Sequence, residues 1–267
     1  MLELLTYPPV LRGFLVLLFS GFTFPITGIY LLRMNLLPLR FMLMHGALLG
    51  GAIALALQIN PFWTTMLVNL LLVWFMIRTA RGLKADTGYI SIFMMVAAIG
   101  LAFVLISVFN VQAKDTMALL WGSLFTVDWI QALGFAGVAL FIVCFHLFKY
   151  RQLKAVFFDP VIAHSSGVNE NGMYTLVILI TAFTVAVAMK IIGALLIDAV
   201  IILPAIIASL HARSFRKLVL WSSLWGGFFA LSGFFVSYGL RIPASAAIAL
   251  MATVVFTGFY LKKKAKK

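Results

Sequence analysis

Two side chains stand out because they sit where polar groups are costly. His45 lies early in an apolar run that begins at Phe41, and Asp198 lies deep within another, Met173–Leu210. A histidine inside a membrane usually faces a cavity or a partner helix, and an ionised carboxylate there is expensive unless paired or hydrated. Imidazole and carboxylate are also donors that suit zinc, manganese and iron alike. No catalytic constellation accompanies them. There is no H-E-x-x-H, and no acid within an apolar run neighbours a histidine, which argues against an intramembrane enzyme. Cys144 is the single cysteine, so no internal disulfide can form. His146, His164 and His211 lack neighbouring ligands and read as structural or surface residues.

The elements that hold these residues follow from hydropathy. Of 267 residues, 64% are hydrophobic and 10% charged, too little charge to cover a water-soluble domain. Apolar runs near the length needed to cross a hydrocarbon core of about 30 Å recur throughout. The expected fold is all-α: one polytopic membrane domain, residues 1–267, with about nine spans. They run Gly13–Leu32, Phe41–Gln58, Phe62–Ile77, Tyr89–Val111, Trp129–Phe148, twice through Met173–Leu210, Leu218–Leu240, and from Pro243 to Leu261. The run Met173–Leu210 would be about 57 Å long as one helix at 1.5 Å per residue, so it must cross twice, turning near Lys190–Gly193. Met117–Val127 is too short to cross and is expected as a re-entrant or surface helix.

The net charge of +13 does not point to nucleic acid, because the basic residues lie between apolar runs. With the N-terminus outside, Arg33, Arg40, Arg78, Arg81, Lys84, Lys149, Arg151, Lys154, Arg213, Arg216, Lys217 and five C-terminal lysines all fall on the inner side. That is 16 of 20 basic residues, the bias expected of cytoplasmic loops in a cytoplasmic membrane. Gly46 with Gly50, and Ser222 with Gly226 and Gly233, recur on single helix faces and predict close helix packing.

Local chemistry marks one cytoplasmic loop. Asp159 followed by Pro160 predicts a helix start, since aspartate caps free N–H groups and proline suits the first helical position. Val161 to Ser166 would form a short helix that Gly167 ends.

Three stretches carry a family resemblance. The loop reads Phe158-Asp159-Pro160-Val161-Ile162-Ala163-His164-Ser165-Ser166-Gly167. The seventh span holds Gly193, Leu195, Leu196, Ala199, Pro204, Ala205 and Ala208 in order. The second begins Met44-His45-Gly46 and reaches Gly50. Together they resemble the permease subunit of the metal-type ABC importers, which carry zinc, manganese or iron. Leu119–Ser123 and Pro243–Ala246 are weaker likenesses to the same family.

The resemblance implies a homodimer in the lipid membrane, cytoplasmic ATPase subunits, and an extracytoplasmic metal-binding protein. Phe158, Asp159, Pro160, Ala163 and Gly167 would then form the ATPase-coupling segment. The chain carries no G-x-x-x-x-G-K-[ST] loop, so ATP would bind a partner subunit; no cofactor is expected on this chain, and the divalent metal is the substrate. The family often places an aspartate four residues before the histidine. Phe41 stands there instead, and Asp198 is the candidate to supply that carboxylate for a transient site with His45. A secondary transporter or channel for a small cation is the alternative; it would need no ATPase.

Overall fold

The computed structural model describes residues 7–110 and 124–264. Among them no strand occurs. In chain order the helices are α1 (Pro8–Arg33), α2 (Leu37–Leu57), α3 (Pro61–Leu83), α4 (Thr87–Val108), α5 (Trp129–Phe148), α6 (Tyr150–Phe158), α7 (Pro160–Ser165) and α8 (Glu170–Ile192). Then come α9 (Ala194–Ile197), a π-helical stretch (Asp198–Ile202), α10 (Leu203–Ser209), α11 (Phe215–Leu240) and α12 (Ala244–Lys264).

Eight helical segments among the described residues are long and apolar enough to cross a bilayer, with α5 and α6 together giving one of them. They match eight of the nine expected spans. The remaining one follows Gly193 and is built in short pieces: α9, the π-helical stretch and α10, whose apolar part Asp198–Ser209 is shorter than the others. The expected short helix Met117–Val127 falls mostly outside the described residues, as does Leu119–Ser123; its described end is a single 3-10 turn, Leu124–Thr126.

Short connections are closed by their own side chains. After α2, Gln58 takes a left-handed conformation, and Asn60 then caps α3 by accepting from Phe62 N at 2.9 Å, with Pro61 leading the helix. After α3, Lys84 turns left-handed and Asp86 caps α4 by accepting from Gly88 N at 2.7 Å. Two helical stretches exceed the sequence reading. α3 runs on from Ile77 to Leu83, through residues read as loop, because arginine and leucine are good helix formers whatever their hydropathy. α6 occupies the polar stretch after Lys149, where Leu153 and Val156 are buried three residues apart on one face.

The chain divides into two compact units. The first holds residues up to Ile29, Ser123–Phe148, and Leu195 onward. There α1 and α11 meet through glycine: a Cβ on Gly21 would lie 2.6 Å from the Ala230 Cβ, and one on Gly226 would strike the Gly21 carbonyl. Phe24 packs on Phe135 with ring centres 5.0 Å apart, and Gly233 admits Ile248 of α12. Small residues thus let backbones approach, as the spacing of Gly226 and Gly233 predicts.

The second unit holds Tyr30–Gly122 and Lys149–Ala194. Its centre is α2, whose Leu48, Leu49 and Ala52 pack on Ala98 and Ala102 of α4. Against α3, Gly46 faces Asn69 and Leu72, and a Cβ on Gly50 would lie 2.5 Å from the Thr65 Cα. The predicted close packing at Gly46 and Gly50 is therefore present.

Candidate functional site

His45 lies eight residues into α2 and is half-buried. Its Nδ1 stands 2.8 Å from the backbone carbonyl of Phe41, one turn back. A carbonyl can only accept, so Nδ1 is the donor here, and in the neutral ring the lone pair is left on Nε2. Histidines that bind metals are held in just this way, with the second ring nitrogen donating to a carbonyl or carboxylate. Position 41 thus orients the imidazole through its main chain although it carries no acid.

Asp198 opens the π-helical stretch and is partly buried. The cause of the π turn is close by. Pro204 has no N–H, and its ring crowds the carbonyl four residues back, so the helix widens and the Leu203 N–H donates to the Asp198 carbonyl instead. Single π turns of this kind occur often at functional positions. Gly193, with φ of 85°, is the sole non-helical residue between α8 and α9 and marks the break that the length of the apolar run demanded.

His45 belongs to the second compact unit and Asp198 to the first, so neither unit alone unites them. Among the described residues no three His, Cys, Asp or Glu side chains gather into a metal-holding group. The other histidines have surroundings of their own. His146 is buried near the ring of Phe215, His211 stacks on Phe259 at 5.4 Å with Trp221 edge-on, and His164 is exposed with its Nδ1 3.8 Å from Glu170.

The Asp159 segment folds as its sequence predicts. Asp159 breaks the chain between α6 and α7 and accepts from Val161 N at 2.8 Å, with Pro160 leading α7. Gly167, at φ 77°, ends the turn, and Val168 N donates back to the Ala163 carbonyl at 3.0 Å. Ala163 is fully buried, while Phe158 is 86% exposed and Val161 76%. Phe157 faces the opposite way, its ring 5.5 Å from that of Tyr30. The segment is anchored by Phe157 and Ala163 and offers Phe158 and Val161 outward.

Two features escaped sequence reasoning. The first is Asn69 in α3, whose amide is buried against Gly46 with neither its oxygen nor its nitrogen hydrogen-bonded. The second is a pair of hydrogen bonds that fasten α8 to the α3–α4 turn, from Arg81 to Thr175 and between Thr87 and Tyr174, each 2.6 Å. Neither carries a local signal; both depend on which helices pack together.

The ABC 3 transport family model matches residues 6–263, so the chain belongs to that family and is a multi-pass membrane permease, not an enzyme. Among its relatives, the manganese import system permease protein ScaB of Streptococcus parasanguinis is 30% identical over 229 residues, covering 84% of this chain and 80% of that protein. The high-affinity zinc uptake system membrane protein ZnuB of Haemophilus influenzae is 26% identical over 269 residues, covering 99% of each. The structure of PsaBC from Streptococcus pneumoniae in complex with Fab shares the fold, with a TM-score of 0.82 at 21% identity over 97% of this chain and 94% of that one.

Proposed function

We propose that this chain is the membrane pathway of an importer for a divalent metal ion, zinc, manganese or iron, driven by ATPase subunits that dock on the Asp159 segment. The observation that carries the reading is the exposed pair Phe158 and Val161 on a capped, anchored helix break within a transport-family chain. Exposed apolar side chains on a short, rigid element suit a groove on a partner. The metal reading is supported by the manganese and zinc uptake systems for which the relatives are named and by the Nε2 that the Phe41 carbonyl leaves unengaged on His45.

In this reading the N-terminus is outside and the C-terminus cytoplasmic, the interrupted segment after Gly193 provides the ninth crossing, and two copies pair in the membrane. His45 and Asp198 serve as weak, passing ligands, because a metal that must leave requires a site with few donors. The extracytoplasmic binding protein delivers the ion, and ATP binds the partner.

The test is co-expression with candidate ATPase and binding-protein subunits from the same host, purification, and reconstitution. Co-purification of the ATPase and uptake of manganese or zinc that requires ATP are expected. Uptake without ATP hydrolysis would instead favour a gradient-driven carrier or channel and overturn the proposal.

A further inference from the structure

We infer that the hydrogen bonds Arg81–Thr175 and Thr87–Tyr174 form a clamp that carries movement of the Asp159 segment into α3 and α4, making these four side chains positioning residues for coupled transport. The inference rests on the docking reading above.

The connection begins at α7. Between its end at Ser165 and the start of α8 at Glu170 the chain has little freedom. Ser166 N and Val168 N both donate to the Ala163 carbonyl, Gly167 N donates to the His164 carbonyl, and Asn169 caps α8 by accepting from Gly172 N at 2.9 Å. His164 and Glu170 also stand 3.8 Å apart across this turn. A displacement of α7 is therefore passed to the first turns of α8 and is not absorbed by a slack loop.

Those first turns hold Tyr174 and Thr175, adjacent residues that reach two different helices. Arg81, in the last turn of α3, donates from Nη2 to Thr175 Oγ1, while Thr175 itself donates to the Asn171 carbonyl at 2.8 Å. The hydroxyl is thereby oriented to receive the guanidinium. Thr87, the first residue of α4, shares a hydrogen bond with the Tyr174 hydroxyl. Only the turn around Lys84–Asp86 separates the two grips, and that turn is fixed by the Asp86 cap.

α8 thus holds the α3–α4 turn from both sides. Beyond it, α4 packs along α2 through Ala98 and Ala102 against Leu48, Leu49 and Ala52, and α2 carries His45. Deleting a hydroxyl from the clamp removes a link without emptying a core position. It should loosen coupling more than folding.

The experiment uses the permease reconstituted with its ATPase and binding protein, measuring manganese or zinc moved per ATP hydrolysed, ATPase retention and thermal melting. Tyr174→Phe and Thr87→Val are expected to keep the ATPase bound and hydrolysing, while ions moved per ATP fall at least about fivefold, the lower end of ordinary coupling between sites. Thr87→Ser should restore the ratio, and the double variant should be no worse than either single one. An unchanged ratio in Tyr174→Phe, which loses one oxygen atom only, overturns the inference. So does a fall that follows the loss of melting temperature and is not restored by serine. Val161→Asp separates the two levels: if it fails to release the ATPase, the docking reading itself is wrong, whatever the clamp variants do.

Discussion

Gly28 in α1 turns its Cα directly onto the backbone carbonyl of Ile201 in the π-helical stretch, leaving no room for a side chain. A Cβ at this position would also lie 3.3 Å from that of Ala205. The obstacle is main chain, which cannot swing aside as a side-chain tip can. Gly28→Ala is therefore expected to destabilise the protein by about 1–3 kcal/mol through overpacking. Thermal melting in a fixed detergent measures this. Gly82→Ala provides the control, since nothing stands within 4 Å of a Cβ there, and it should hold or slightly raise the melting temperature, as alanine for glycine in a helix does.

At His45 the prediction separates ring placement from ring chemistry. His45→Ala and Asp198→Asn should each raise the half-saturating metal concentration for ATP-driven uptake by about tenfold, equivalent to about 1.4 kcal/mol. Unchanged uptake and affinity in Asp198→Asn would remove that residue from the pathway. Because the Phe41 contact is made by main chain, Phe41→Leu should preserve the orientation of the imidazole and alter uptake little.

At the Asp159 segment, proposed to dock the ATPase, Val161→Asp should weaken ATPase retention by at least about 1 kcal/mol, roughly fivefold, as loss of an interface anchor does. Melting should hardly change, since the side chain is exposed. Asp159→Ala acts differently. It removes the acceptor for Val161 N and should cost about 1 kcal/mol of local helix stability, visible as faster amide exchange in α7.

Asn69 offers a test of stability at a buried polar group. Its buried amide makes no hydrogen bond, and replacing such a group with an apolar one of similar shape is nearly neutral or stabilising. Asn69→Leu should keep or raise the melting temperature. A marked loss of stability would mean that the contact between its oxygen and Gly46 contributes more than a weak C–H···O interaction.

What could be read from the chain alone follows the range of each interaction. The long helices were legible because crossing lipid demands an unbroken apolar run, and the break at Gly193 because Met173–Leu210 is too long for one crossing. The Asp159–Pro160–Gly167 turn was legible because cap, first-turn proline and left-handed glycine act within a few residues. α6 was missed because its buried Leu153 and Val156 lie among charged neighbours that hydropathy averages away. The π turn was missed because proline within a helix can be accommodated by a kink, a break or a widened turn, and Gly28 packing on Ile201 belongs to one of these only. Asn69 and the Arg81–Thr175 pair were out of reach for a further reason: residues far apart in sequence meet through the arrangement of whole helices.

Consider finally the turn closed by the Asp159 carboxylate and the Ala163 carbonyl. Recognition segments whose backbone must be ordered on contact forfeit about 1–2 kcal/mol for each residue fixed. Here the backbone beneath Phe158 and Val161 is settled beforehand, so an arriving motor subunit would find a preorganised handle and little conformational entropy would be lost at the moment of grip.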